Sequence, residues 1–104
     1  MTVRGQGRGG RCQEFALAAA LELSPSDRIT LLAAGTDGSD GPTDATGAIV
    51  DATSVARGAA AGADARRALG DNDAYAFLRA NGDLVVSGPT RTNLLDLYVA
   101  VRTP

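Results

Sequence analysis

The residues of this chain that could act on a ligand lie in three segments rich in glycine, threonine and aspartate. The first segment, GQGRGGR at residues 5–11, leads into an Ala/Leu-rich stretch that predicts a helix. Glycines let backbone N–H groups approach an anion, and a helix N-terminus adds partial positive charge. Arg11 could then donate paired hydrogen bonds to a phosphate or carboxylate. The spacing alone favours the alternative, a flexible glycine-rich N-terminal tail that binds nothing.

The second segment, GTDGSDGPTDAT at residues 35–46, follows the apolar run RITLLAA. Open α/β sheets bind ligands beyond the carboxyl ends of their strands, and this polar loop is in that position. The side chains that could bond substrate hydroxyls, hold Mg²⁺ or donate to oxyanions are Thr36, Asp37, Ser39, Asp40, Thr43 and Asp44. The ligand spacing of an EF-hand is absent. The same residue types form ordinary Asx turns, so a ligand site and a surface loop both remain open.

The third segment, SGPTRTN at residues 87–93, follows a predicted strand at residues 83–86. Its compact set of hydrogen-bond donors consists of Thr90, Arg91, Thr92 and Asn93. The spacing alone favours the other interpretation, a simple turn between two strands.

Composition excludes several mechanisms. All 10 basic residues are arginine, and there is no histidine. Ser-His-Asp triads, histidine-ligated zinc, Schiff-base lysines and P-loop lysines are therefore excluded. The net charge of −2 gives no overall attraction to nucleic acid. The single Cys12 cannot form an internal disulfide, and the longest apolar run is too short to span a bilayer, so we expect a cytoplasmic protein.

The elements that must position these segments alternate between helix and strand. Apolar periodicity and turn residues predict helices over 11–23, 55–61, 63–69 and 73–80, and strands over 28–34, 83–86 and 94–102. Residues 47–50 could be strand or helix. The helix at 11–23 is expected to be buried on most sides, and the strand at 94–102 to be half-buried. Cys12, Tyr75 and Phe77 are predicted core residues. The predicted fold class is α/β or α+β: a single compact domain over 1–104, with a three- to four-stranded mixed sheet packed with helices.

Taken together, the motifs resemble a known family. The chain is similar to the C-terminal MOFRL domain of type II glycerate 2-kinases. The similarity lies in four stretches: GxGxGGR-x-QE before the helix, LLAAGTDGSDGPTDATGAIVD, NDAYAFL, and GDLVVSGPTRTN followed by DLYV. Some members of that family carry the name hydroxypyruvate reductase. The resemblance covers about residues 3–102, and the GTDG-x-DGPT-x-A stretch is its most specific part.

The resemblance implies a phosphotransferase that uses ATP and Mg²⁺ to convert D-glycerate to 2-phosphoglycerate. In that family a larger N-terminal Rossmann-like α/β kinase domain precedes the matching segment, shares the active-site cleft with it and carries the reacting lysine. We therefore expect such a domain as a partner, fused or separately encoded, and a small acid such as glycerate as ligand. Neither nucleic acid nor membrane is an expected partner, and self-association through an exposed patch stays open.

Carried over by position, the resemblance makes Arg11 the expected catalytic contact to the glycerate carboxylate or the transferring phosphoryl group. The residues expected to bind substrate are Gly9, Gly10, Glu14, Thr36, Asp37, Asp40, Thr90, Thr92 and Asn93. No metal ligand is assigned, and no cofactor is expected on this domain alone. Cys12 and Arg91 depart from the Asn and Gly that the family usually has. The alternative function is a stand-alone module that binds a small acid, phosphate or protein partner without catalysis.

Overall fold

A computed structural model describes residues 10–35, 40, 45–87 and 96–102. Its elements in chain order are α1 (Arg11–Glu22), a 3₁₀ turn (Pro25–Asp27), β1 (Ile29–Gly35), β2 (Gly47–Val50), α2 (Ser54–Ala60), α3 (Ala65–Gly70), α4 (Ala74–Asn81), β3 (Leu84–Val85) and β4 (Asp96–Arg102). The predicted single domain, with helices packed on a sheet of three to four strands, is confirmed. None of the helices in this described part of the chain is long and apolar enough to cross a membrane.

The four strands form one sheet in the order β3-β2-β1-β4. Every pairing between them is antiparallel, so the sheet is not mixed, and the fold is α+β. In the register, Leu31 lies opposite Val50 on one side and Ala100 on the other, while Leu32 lies opposite Ile49 and Val99. Because successive side chains of a strand point to opposite faces, these two rows lie on the two faces of the sheet.

The helices lie against one face of the sheet. The buried core joins Leu31 and Val50 of the sheet to Leu17 of α1 and to Phe77 and Leu78 of α4. Alanines fill much of the remaining core, which lets α1 approach β1 and β2 closely. The predictions that Cys12, Tyr75 and Phe77 belong to the core are confirmed.

Three expectations about local structure need correction or completion. Residues 47–50 form a strand, because they pair with both β1 and β3. The strand at the C-terminal end is exposed along most of its length rather than half-buried, since it lies at the edge of the sheet. Helix α1 buries fewer sides than expected, and Phe15 is 46% exposed. The helix ends before Ser24-Pro25, because a residue that precedes proline disfavours helical geometry.

Close packing of α2 on α4 requires glycine at position 58. Gly58 is buried, and a Cβ there would overlap the ring of Phe77, which is itself fully buried. We expect Gly58→Ala to lower the free energy of unfolding by about 2 kcal/mol, measured by urea denaturation. The matched control is Gly70→Ala, because Gly70 ends α3 with no neighbour within 4 Å of the added Cβ. Equal stability changes in the two variants would show that the contact of Gly58 with Phe77 is unimportant.

Candidate functional site

The N-terminus of α1 is held by a carboxylate from a distant part of the chain. The backbone N–H groups of Cys12 and Gln13 donate to Asp40 Oδ1 and Oδ2 at 3.0 and 2.8 Å. The side-chain amide of Gln13 donates to the Asp40 carbonyl at 3.1 Å. A negative group is favourable at this end of a helix, and the hydrogen bonds are charge-assisted. Asp40 therefore acts as the cap of α1, although Gly10 is the residue at the cap position.

Glycine at position 10 makes this capping arrangement sterically possible. Gly10 has a φ of −112°, which any residue can adopt, so its backbone conformation does not require glycine. A Cβ at position 10 would overlap both the carboxylate and the backbone of Asp40. Gly10 and Asp40 thus fit each other, and they fasten the loop that contains Asp40 to the start of the helix.

Arg11 is an exposed cation held by an ion pair. Its Nε and Nη2 donate to the two carboxylate oxygens of Asp96 at 2.7 and 3.1 Å. The Arg11 side chain is 67% exposed, whereas that of Asp96 is 16% exposed. The hydrogen bond from Arg11 lowers the pKa of Asp96, and the same bond raises the pKa of Arg11. The pair therefore stays ionised at neutral pH and leaves Nη1 unused by Asp96.

A groove runs from Arg11 along the outer side of α1. It has a volume of about 410 Å³ and is lined by Arg11, Glu14, Phe15, Ala18, Leu69 and Tyr98. The rings of Phe15 and Tyr98 lie with their centroids 4.6 Å apart. Glu14 is buried and accepts a hydrogen bond from Asn72 Nδ2 at 2.9 Å. A mostly apolar groove with a cation at one end is suited to a small organic anion.

The two polar loops predicted to carry site residues are anchored side by side at the same end of the sheet. The ends of the first loop are Gly35, the last residue of β1, and Thr46, which precedes β2, and the Gly35 N–H donates to the Thr46 carbonyl at 2.9 Å. The second loop has Ser87 before it and Asp96, the first residue of β4, after it, and Asp96 lies opposite Gly35 in the register of β1 and β4. The Ser87 N–H donates to Thr46 Oγ1 at 2.9 Å. All four anchors therefore lie at one end of the sheet, and Asp96 connects this end to the start of α1 through Arg11.

The predicted site residues divide between this end of the sheet and positions that the structure does not describe. Four of them, Gly10, Arg11, Glu14 and Asp40, come together at the first turn of α1. The others lie outside the described residues: Gly9, Thr36, Asp37, Thr90, Thr92 and Asn93. Sequence reasoning did not identify Asp96 as a site residue. The available signal was an acidic residue at the first position of a strand that follows a polar segment.

Comparison with Arg57 shows what distinguishes the surroundings of Arg11. All three nitrogens of Arg57 are engaged, because Nε donates to Thr53 Oγ1, Nη1 to the Asn81 carbonyl and to Asp83, and Nη2 to Ser54 and to Asp83. Such a guanidinium ties α2 to the segment before β3 and has little capacity left for a ligand. Arg11 combines an ion pair on one edge with high exposure, which suits anion binding.

The described carboxylates do not form a magnesium site. Within residues 10–35, 40, 45–87 and 96–102, no three potential ligand side chains are grouped as a metal ion requires. Both oxygens of Asp40 accept backbone N–H groups, and Asp96 is paired with a cation. We therefore derive no step through a metal ion held by this part of the chain.

Cys12 lies beside the two carboxylates and is expected to be chemically inert. Burial, followed by the charges of Asp40 and Asp96, raises its pKa to about 12. We predict that iodoacetamide at pH 8 alkylates Cys12 at least about 100-fold more slowly than a cysteine in an unstructured peptide, because thiolate and access are both scarce. The rate should rise to the peptide value in denaturant. Fast alkylation of the folded chain would contradict the burial of this thiol.

Comparisons with known proteins agree with this architecture. The model of the MOFRL family matches residues 1–96. D-glycerate 2-kinase of Thermotoga maritima is 46% identical over 99 residues, which cover 95% of this chain and 24% of that protein. Glycerate 2-kinase of Pyrococcus horikoshii is 38% identical over 104 residues, which cover 99% of this chain and 23% of that protein.

A solved structure supports the same assignment. The crystal structure of a glycerate kinase from Thermotoga maritima aligns with a TM-score of 0.94 at 45% identity, over 99% of this chain and 25% of that one. This chain thus spans about a quarter of the length of the relatives that it matches. The extent of the family match and the shared fold show that the chain belongs to the MOFRL family.

Proposed function

We propose that this chain forms one wall of the substrate cleft of a glycerate kinase, where ATP phosphorylates D-glycerate to 2-phosphoglycerate. The observation that carries the proposal is Arg11, an exposed cation fixed by Asp96 at the end of the sheet that carries the anchors of both polar loops. The names of the relatives support the reaction class, since several of them are glycerate kinases. We propose a cytoplasmic setting, in keeping with one cysteine that is buried and unpaired.

The proposed role of Arg11 is electrostatic. Its guanidinium binds either the glycerate carboxylate or the phosphoryl group in transfer, and it stabilises the negative charge there. Phosphoryl transfer depends mainly on the positioning of the reactants and on such charge stabilisation. Asp96 is a positioning residue, because it holds two guanidinium nitrogens and thereby orients the side chain. Asp40 and Gly10 do not contact the ligand in this proposal, but they fix the start of α1, on which Arg11 lies.

The remaining chemistry is assigned to other parts of the complete enzyme. Mg-ATP, when bound there, supplies the phosphoryl group. This chain has neither lysine nor histidine, so the group that takes the proton from the substrate hydroxyl is expected on the larger kinase domain. The proposal therefore requires that domain as a partner, whether fused or separate.

A chimeric enzyme tests this function. This chain replaces the matched 24% of the Thermotoga maritima D-glycerate 2-kinase, over the 99 aligned residues. ATP-dependent phosphorylation of D-glycerate by the chimera is the expected result. The parent enzyme with the same quarter deleted is the control, and we expect it to be inactive. A chimera that unfolds cooperatively but does not phosphorylate D-glycerate would contradict the proposal.

The alternative is that the chain is a stand-alone module for small acids or phosphate, and the groove beside Arg11 favours it. A calorimetric titration of the 104-residue chain with D-glycerate and with Mg-ATP separates the two functions. We expect weak or no binding, because the shared-cleft proposal leaves half of the binding groups on another domain. Micromolar binding by the chain alone would favour the module.

A further inference from the structure

The side of the sheet that faces away from the helices is strongly apolar. We call it the open face. Antiparallel register places on it the side chains opposite to the core row, namely Thr30, Leu32, Ala34, Ile49, Val85, Leu97, Val99 and Val101, together with Gly47. None of these residues is charged, and all but Thr30 and Gly47 are hydrophobic. In an antiparallel sheet covered on one side only, the residues of the outer face are usually polar. This composition is therefore typical of a sheet whose two faces are both covered by other parts of a protein.

Four residues of the open face are substantially exposed in the described part of the chain. Ile49, Leu97, Val99 and Val101 are 44%, 47%, 39% and 55% exposed. They lie on β2 and β4, on either side of β1, and Ile49 and Val99 flank Leu32 of β1 in the register. The four helices pack among themselves and on the opposite face. Contiguous exposed apolar surface of this kind marks an interaction site.

We propose that the open face is the docking surface for the larger kinase domain of a glycerate kinase, a proposal that rests on the function proposed above. The chain spans only about a quarter of relatives whose matched part has the same fold, so in those proteins about three times as much polypeptide accompanies this sheet. An uncharged, apolar face requires an apolar partner surface, such as the interface between two domains of one enzyme. It has no charged groups with which to bind a nucleic acid or a charged peptide.

The position of the candidate site is consistent with this occupant. Leu97 is the first open-face residue of β4, and it directly follows Asp96, the partner of Arg11. A domain seated on the open face therefore has its rim beside Arg11 and beside the anchors of both loops. Docking of one domain on the open face would thus cover the sheet and also form a cleft at the end of the sheet near Arg11.

Thiol protection tests the docking surface directly. Val99→Cys and Ile49→Cys place a thiol on two strands of the open face, and Ala80→Cys places a control thiol on the exposed part of α4. Each is prepared in the 104-residue chain and in the chimera, and maleimide labelling is followed at each position by mass spectrometry. We expect labelling at positions 99 and 49 to be at least tenfold slower in the chimera than in the isolated chain. The rate at position 80 should be unchanged.

Equal labelling rates in the chimera and in the isolated chain, at both open-face positions, would overturn the proposal. A dimer of the isolated chain in light scattering, with positions 99 and 49 already protected, would also overturn it in favour of a second copy. Kinase activity of the same chimera is scored separately. Protection without activity supports the docking surface and removes the proposed function, whereas activity without protection removes the docking surface and leaves the proposed function intact.

Discussion

Replacement of Asp40 by alanine is expected to lower the free energy of unfolding by about 3 kcal/mol. The carboxylate is buried and accepts the backbone N–H groups of Cys12 and Gln13, so its loss leaves two buried donors without an acceptor at the start of α1. Hydrogen bonds to a charged group contribute about 1.5–3 kcal/mol each, and a lost cap costs about 1 kcal/mol at an exposed helix. The measurement is urea denaturation of the 104-residue chain, followed by circular dichroism.

A second capping aspartate provides the control for this prediction. Asp64 caps α3 by accepting the Arg67 N–H at 3.2 Å, but it is exposed and its helix is short. Asp64→Ala should therefore cost no more than about 1 kcal/mol. Asp40→Asn, which keeps one acceptor oxygen, should fall between the two alanine variants. If Asp40→Ala and Asp64→Ala lose the same stability, the capping role assigned to Asp40 is wrong.

The same contact predicts a non-additive pair of substitutions. Gly10→Ala should destabilise the chain because the added Cβ overlaps Asp40. Asp40→Ala removes the overlap with the carboxylate and leaves the overlap with the backbone of residue 40. Gly10→Ala should therefore cost less in the Asp40→Ala background than in the parent chain, without becoming neutral. A double-mutant cycle measures this coupling. Additive losses would mean that the Asp40 carboxylate does not restrict the side chain at position 10.

Replacement of Arg11 by alanine in the chimera is expected to lower kcat/KM for D-glycerate by about 10²–10³-fold, the effect seen when one preorganised donor to a developing anion is removed. Arg11→Lys should recover only part of the loss, because a lysine cannot reproduce the paired donors of the guanidinium. The control is Arg66→Ala, which removes an exposed arginine from α3 and should leave kcat/KM unchanged.

Asp96 is expected to act through Arg11, and its variant separates positioning from direct contact. Asp96→Asn keeps a hydrogen-bond acceptor but removes the charge that orients the guanidinium, so we expect a loss of about tenfold in kcat/KM. The loss should disappear when Arg11 is already alanine. Additive losses in the double variant would assign Asp96 a role independent of Arg11. Parental activity in Arg11→Ala would refute the catalytic role of Arg11.

Sequence periodicity predicted most of the helices and strands, but it did not predict how deeply each of them is buried. The start of α1 at Arg11 and the end of α4 before Gly82 follow from local residue preferences, and both match the structure within a residue of the prediction. Residues 47–50 could not be assigned, because a run of four apolar residues fits both periodicities. The alternation in β4 predicted a strand correctly, but its exposure depends on which strands and helices surround it, and no local pattern encodes that.

The sequence predicted where the candidate site lies, but it did not predict which residues contact each other there. The glycine-rich entry to α1 and the two polar loops indicated where anions could bind. The partners of Arg11 and of the α1 amides were not predictable, because Asp96 is 85 residues from Arg11 and Asp40 is 27 residues from Gln13. Asp40 was one of three aspartates in a short segment with similar neighbours in the sequence, and only the fold shows that it caps a helix.

The most direct test of the account is the turnover of the chimera that carries this chain in place of the matched quarter of the Thermotoga maritima D-glycerate 2-kinase. If the chain forms one wall of a glycerate kinase cleft, it should place its groups as the parent domain does, and kcat/KM for D-glycerate should then lie within about tenfold of the parent value. A wall that misplaced these groups by about an ångström would lose far more activity. A chimera that unfolds cooperatively and shows protection of positions 49 and 99, yet has no more activity than the parent with that quarter deleted, would contradict the proposed function.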